Sequence, residues 1–134
     1  MTEFRHVTDA FSVAYQLTPE DMKAAAAQGF KLVINNRPDG EDPAQTPDAV
    51  MQAAAEAAGL AYVYLPVVGR PSRETAEAER DAIDSAGGPV LAYCRTGTRS
   101  INTWALGQAL EGADRSELVR LGGAAGYDLS AILG

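Results

Sequence analysis

One cysteine, Cys94, and one histidine, His6, are all that the 134 residues hold of either type. A lone cysteine excludes a disulfide within the chain and fits a reducing compartment. One Cys and one His do not make a protein zinc site, so no metal is expected. Basic residues are scarce as well. The 11 Lys and Arg stand against 18 Asp and Glu, a net charge of -7 that argues against nucleic acid as a partner. Long apolar runs are absent too. No stretch approaches the roughly 20 residues that span a membrane. Met1 to Ala10 is polar and mixed, without the apolar centre of a secretion signal. The expectation is a bacterial cytoplasmic protein with one domain over residues 1–134, long enough to bury a core.

What is present is an alternation of strand and helix signals. Phe11 to Leu17 alternates apolar and polar residues and reads as a strand. Thr18-Pro19-Glu20-Asp21 is a helix start, with Thr18 as cap and Pro19 in the first turn, and Gly29 stops that helix. Phe30 to Ile34 is a continuous apolar run of the kind found inside a sheet. A long polar loop, Asn35 to Pro47, follows; Thr46-Pro47-Asp48 repeats the helix-start pattern, and a helix from about Pro47 to Ala58 ends at Gly59. Ala61 to Leu65 reads as a strand, and Ser72 caps a helix over about Arg73 to Ser85 whose charges suggest a solvated face. Val90 to Tyr93 is a short buried strand. A helix then runs to about Glu111, Asp114 to Glu117 resembles a capping box for another, Gly122-Gly123 ends it, and a last helix covers about Ala124 to Leu133. Strands alternating with helices predict an α/β fold: a largely parallel central sheet flanked by helices, with ligands at the carboxyl ends of the strands.

The chemistry concentrates at one such end, Cys94-Arg95-Thr96-Gly97-Thr98-Arg99-Ser100. Cys94 lies just before a helix start, where unpaired N–H groups and the helix dipole favour an anion. Arg95 and Arg99 add positive charge, and all of these stabilise a thiolate, the nucleophilic form of the thiol. Gly97 permits a turn in which successive N–H groups point inward as a nest. Thr96, Thr98 and Ser100 add hydroxyls, and Ser100 is placed to hydrogen-bond the thiolate. Cys94 and Arg99 are therefore the candidate catalytic pair; Arg95, Thr96, Gly97, Thr98 and Ser100 are candidate anion-binding residues. The bland alternative, a core cysteine beside surface arginines, does not explain two arginines, a glycine and three hydroxyls within seven residues.

Two reaction classes use such a cradle. Cysteine phosphatases have Cys-x5-Arg, whereas rhodanese-type sulfurtransferases resemble Cys-Arg-x-Gly-x-Arg, a shorter loop that holds a persulfide. Cys94 to Arg99 is Cys-x4-Arg and fits the second pattern at every fixed position. A phosphatase also needs an acid to protonate the leaving oxygen. The stretch Tyr64 to Arg70, where dual-specificity phosphatases carry theirs, has none. Asp39, Glu41 and Asp42 can substitute only if the long loop folds over Cys94; Asp39 is the candidate taken for that role, against a solvated turn. The first reading is thus a sulfurtransferase that carries sulfane sulfur as a persulfide on Cys94. It would take sulfur from a small anionic donor, thiosulfate or glutathione persulfide, and pass it to a thiol, sulfite or cyanide, with no cofactor. The alternative is a phosphatase acting through phospho-cysteine; a third reading is a non-enzymatic sensor of anions or persulfides.

Other residues carry less. His6 pairs with Cys94 only if the N-terminus folds back. Trp104 reads as core. Tyr62 and Tyr64 share one strand face, either at the mouth of the site or half-buried in packing, and Tyr127 is undetermined.

The chain also resembles the beta-lactamase-hydrolase-like, phosphatase-like family of bacterial proteins. The resemblance rests on Gln16 to Asp21, Gln28 to Lys31, Val33 to Glu41, Ala58 to Tyr62, Leu65 to Val67 and Gly88 to Ser100. It implies a fold like that of the dual-specificity phosphatases. Some members of the family are phosphatases; others are sulfurtransferase domains fused to persulfide dioxygenases or sulfide-oxidising enzymes, so a separately encoded partner of that kind is an expectation here. The family motif singles out Asn35 to Glu41 and with it Arg37, which is expected to meet either the loop and its anion or a nearby acid.

Overall fold

The computed structural model describes residues 2–134. Five strands form one sheet in the order β1-β2-β5-β3-β4. The strands are β1 (Phe4–Thr8), β2 (Phe11–Ala14), β3 (Leu32–Asn35), β4 (Ala61–Tyr64) and β5 (Val90–Tyr93). β1 pairs antiparallel with β2; β2, β5, β3 and β4 are parallel. Six helices complete the chain: α1 (Asp21–Ala27), α2 (Asp48–Ala57), α3 (Arg73–Ser85), α4 (Thr98–Leu110), α5 (Arg115–Ala124) and α6 (Ser130–Leu133). The expected α/β class and largely parallel sheet are thus what the chain forms.

Alternate residues of the central strands face opposite layers. Val33 and Leu91 join Leu17, Met22, Met51 and Ala55 beneath α1 and α2. Ile34, Val90 and Ala92 join Ile101, Trp104, Leu118 and Leu129 beneath the later helices. Trp104 is core as expected, its ring stacked on Phe11 at 5.4 Å between centroids. With both faces covered, all four residues of β5 are buried, which is why its sequence shows no alternation. Among the described residues no helix is long and apolar enough to cross a membrane.

Register fixes where the loops gather. Tyr93 pairs with Ala14 on one side and Asn35 on the other, and Asn35 pairs with Tyr64. Four parallel strands therefore end in one row, and the segments after Ala14, Asn35, Tyr64 and Tyr93 share one edge of the sheet.

Several expected boundaries shift for identifiable reasons. β1 was not anticipated in the polar N-terminus; as an edge strand it buries only Val7, so its apolar signal is thin. The strand expected to reach Leu17 stops at Ala14, because the Gln16 N–H turns to the Arg95 carbonyl at 3.2 Å. α1 begins at Asp21, not Pro19; Thr18 and Asp21 still bond reciprocally, Asp21 N–H to Thr18 Oγ1 at 3.3 Å and Thr18 N–H to Asp21 Oδ2 at 2.8 Å. Asp114 makes no side-chain cap on α5, where Glu117 pairs with Arg120 instead. Gly122-Gly123 lies inside α5, since the close approach of Leu129 requires a residue without Cβ at Gly122. The last helix shrinks to α6. The α3 boundaries are as expected, with Ser72 Oγ accepting from Thr75 N–H at 3.1 Å. Its face is not wholly solvated, however: Ala76 and Glu79 are buried.

Candidate functional site

Cys94 follows β5 directly and is 1% exposed. The chain turns at Gly97, the N-cap of α4, with φ +87°, a left-handed conformation that glycine adopts without strain. That turn aims the Gly97 N–H at Cys94 Sγ, 3.1 Å away. The loop is tied from both sides. Gln16 N–H donates to the Arg95 carbonyl, and the Tyr127 hydroxyl donates to the Thr96 carbonyl at 2.8 Å. Tyr127 is packed so closely on Gly97 that a Cβ there would overlap its hydroxyl. Arg5 lies over the rings of both Tyr15 and Tyr127, 5.4 Å from each centroid.

Arg99 stands on the first turn of α4, and its donors are nearly all assigned. Nη1 donates to Glu41 Oε2 at 2.7 Å and to the Val67 carbonyl at 2.9 Å. Nη2 donates to Glu41 Oε1 at 2.8 Å. A guanidinium has five N–H groups. The two left over, Nε–H and one Nη2–H, lie parallel along its side edge, the geometry that grips an oxyanion through two oxygens. Glu41 is foremost in holding Arg99 charged, and the Cys94 thiol also contributes, so the guanidinium and the sulfur are neighbours.

Glu41 also accepts from Arg37 Nε at 3.0 Å, and Arg37 Nη1 donates to Gln16 Oε1 at 3.0 Å. Of the two outcomes expected for Arg37, the ion pair with a nearby acid is the one formed. Arg37 also lines the cavity of about 570 Å³ that it shares with Glu41, Asp42, Arg95 and Arg99. The hydrogen bond from Arg99, and after it that from Arg37, hold the Glu41 carboxyl down at about 2 against an opposing effect of burial. Glu41 is thus an ionised anchor and not a proton donor. The side chain of Arg95 makes no hydrogen bond or ion pair among the described residues and lies exposed beside the cavity. Thr96 and Thr98 bond each other, Oγ1 to Oγ1 at 3.1 Å, on the exposed side.

The structure decides the alternatives left open for Asp39, Tyr62 and Tyr64 in favour of an exposed turn and half-buried packing, and it corrects the expectation for Ser100. Asp39 does not fold over Cys94: its Oδ1 accepts from Asp48 N–H at 2.8 Å, capping α2, and its N–H donates to the Tyr64 hydroxyl at 2.9 Å. The cap expected from Thr46 is supplied by this aspartate. Ser100 does not bond the sulfur; its Oγ is buried without a partner. Tyr62 and Tyr64 do not form the mouth of the site. Tyr62 is half-buried, donating to Asp48 Oδ1 at 2.5 Å and accepting from Asn35 Nδ2 at 3.0 Å; it thus ties the end of β3 to the start of α2, while Tyr64 holds Asp39 in the loop between them. His6, on β1, faces Asp9 at 3.7 Å and makes no pair with Cys94.

The residues that sequence reasoning underweighted are Gln16, Glu41 and Tyr127. Glu41 had a signal in its four-residue spacing from Arg37. Tyr127 had none, since its place beside Gly97 depends on how α5 turns into α6. A second cleft, of about 850 Å³, is lined by Arg5, Tyr15, Gln16 and Asp21 among others; it shares no lining residue with the arginine cavity, which is lined by Arg95 and Arg99 of the cysteine loop and the start of α4. No cluster of three or more metal-ligating side chains occurs among the described residues.

Residues 3–111 match the model of a family described as the beta-lactamase hydrolase-like protein, phosphatase-like domain. A beta-lactamase hydrolase-like protein of Agrobacterium fabrum is 39% identical over 127 residues, 93% of this chain but 30% of that protein. The chain thus spans about a third of the length of that relative. A candidate phosphatase from Neisseria meningitidis Z2491 superposes with a TM-score of 0.83 at 36% identity, covering 94% of this chain and 90% of that one. Tk-PTP in its active form superposes with a TM-score of 0.70 over 97% of this chain and 92% of its own, at 17% identity, a likeness of fold alone.

Proposed function

The chain belongs to the beta-lactamase hydrolase-like protein, phosphatase-like domain family, and from that premise we propose that it is a cysteine-dependent phosphatase working through a phospho-Cys94 intermediate. The observation that carries the reading is the side edge of Arg99, which no carboxylate or carbonyl occupies, beside a sulfur that already accepts a loop N–H. The Cys94 thiolate attacks the phosphorus of a phosphate monoester; the S–P bond forms as the bond to the leaving oxygen breaks. Arg99 and the loop N–H groups hold the non-bridging oxygens where negative charge builds. Water then attacks phosphorus, the S–P bond breaks, and thiolate and inorganic phosphate are released.

The leaving oxygen needs a proton. Asp39 is committed to α2 and Glu41 is held ionised, which leaves Asp42, the other carboxyl on the cavity, and solvent. Phosphates of acidic alcohols, such as aryl phosphates, are therefore the expected substrate class, turned over at least about 100-fold faster than alkyl phosphates because general-acid help is worth roughly that much or more. The test is kcat/KM across a series of aryl and alkyl phosphates; a flat series contradicts the reading.

The sulfurtransferase reading, first in the sequence on the loop count and on the missing acid between Tyr64 and Arg70, moves to second place. The family is described as phosphatase-like, and the Neisseria meningitidis relative as a candidate phosphatase. One observation still favours it: Cys94 to Arg99 is one residue shorter than a phosphatase cradle, a ring suited to a compact sulfane sulfur. In that case thiosulfate or glutathione persulfide loads one sulfur on Cys94, and a thiol, sulfite or cyanide removes it. Sulfur loading of Cys94 without any turnover of aryl phosphate would reverse the order of the two readings.

A further inference from the structure

Glu79 on α3 is fully buried, yet no charged group answers it. The single charged side chain of α4 is Arg99, bound to Glu41 and Val67; on the segment after β4 it is Arg70, bonded to the Ile132 carbonyl. Arg37 is held by Glu41 and Gln16, and Arg80 lies against Asp81 and Glu111. The polar partner of Glu79 is Asn36. Asn36 Nδ2 donates to Glu79 Oε1 at 2.8 Å and to the Leu65 carbonyl at 2.9 Å. The amide oxygen of Asn36, Oδ1, and the second carboxyl oxygen of Glu79, Oε2, are buried and lack a donor. Two orphan acceptors on an amide and a carboxyl already joined by one N–H···O bond need a single proton between them.

We propose that Glu79 is carried as the neutral acid, donating from Oε2 to Asn36 Oδ1, and that this acid–amide pair makes it a positioning residue for Arg99. The path is continuous. Asn36 N–H donates to the Tyr93 carbonyl at 2.8 Å, its carbonyl accepts from Val67 N–H at 2.9 Å, and the Val67 carbonyl receives Arg99 Nη1. Asn36 thus ties the end of β5, from which Cys94 springs, to the segment on which Arg99 rests. Burial raises the Glu79 carboxyl to about 8, with the Asn36 hydrogen bond pulling the other way. Above that pH a bare charge appears in the interior, Asn36 Oδ1 loses its donor, and the Val67 carbonyl loses its fixed place under Arg99. The inference rests on Arg99 being the anion-holding group of the proposed function, but not on which anion is transferred.

Two measurements test it. In protein labelled with carboxyl-¹³C glutamate, one glutamate signal should be protonated at pH 7 and titrate near pH 8, and that signal should be missing from Glu79→Gln. Alkylation of Cys94 by iodoacetate relative to iodoacetamide reads the presentation of Arg99, because thiolate content cancels in the ratio and only the charged reagent feels the guanidinium. The ratio should fall several-fold between pH 7 and 9.5 in the unaltered protein. It should stay level in Glu79→Gln, whose amide can donate to Asn36 Oδ1 at every pH. If every glutamate is ionised at pH 7, or if the ratio is level in the unaltered protein or falls equally in Glu79→Gln, the proposal is overturned. Failure to hydrolyse aryl phosphates, with these outcomes as expected, would count against the phosphatase reading alone.

Discussion

Replacing Glu41 by glutamine removes the charge that holds Arg99 while keeping the shape that touches it. Glutamine offers one acceptor oxygen where the carboxylate offers two, and its amide N–H₂ meets a guanidinium N–H donor against donor. The stability cost follows from linkage. The Glu41 carboxyl falls from an ordinary 4.5 to about 2 in the folded chain, which sets a ceiling of about 3 kcal/mol at 1.36 kcal/mol per pH unit. Its side chain is 30% exposed, so solvent screening lowers the expected loss to about 1–2 kcal/mol. A depressed carboxyl stabilises the fold fully above about pH 4.5 and loses that contribution as pH falls toward 2. Urea unfolding at pH 7 should therefore show Glu41→Gln less stable by about 1–2 kcal/mol, with the gap closing as pH falls through that window. Freed from its end-on partner, Arg99 no longer presents its side edge at a fixed angle, and kcat/KM for an aryl phosphate should drop about 10- to 100-fold. An unchanged or increased kcat/KM would refute this reasoning and make Glu41 a competitor for the anion site instead of the group that orients it.

Asp39→Ala should cost about 1 kcal/mol by removing the cap on α2, with aryl-phosphate kcat/KM within twofold of the unaltered protein; a large loss in rate would restore Asp39 as an acid. Gly97→Ala forces a left-handed alanine into the Tyr127 hydroxyl, and strain plus the lost hydrogen bond should cost about 2–3 kcal/mol in urea unfolding. Adding Tyr127→Phe should recover part of that cost by removing the overlap, a non-additivity that a double-mutant cycle measures; strict additivity would contradict the contact.

The legible parts of the sequence were those whose signals are local. β5 lies between a Gly-Gly-Pro break and the cysteine loop, and α3 has Ser72 as its cap, so both were placed to the residue. The cradle was legible because its nucleophile, its glycine and its arginines share one short stretch. What escaped depends on distant partners. Asp39 and Glu41 sit two residues apart on one polar loop, and which of them reaches the arginines is decided by Tyr64 and by the start of α2. Glu79 lies in a run of charges that reads as solvated, although it stands three residues from Ala76 on the same helix face. The order of the two reaction classes is not legible either, since the short loop favours sulfur while the phosphatase-like fold favours phosphate.

The most direct measurement is the intact mass of the protein quenched during turnover of 4-nitrophenyl phosphate, and separately after incubation with thiosulfate or glutathione persulfide. A phosphatase should show a single added phosphoryl group on Cys94 with aryl phosphate, absent from Cys94→Ser, and no lasting added sulfur. One added sulfur on Cys94, with neither a phosphoryl adduct nor release of nitrophenol, would contradict phosphoryl transfer as the function of this site.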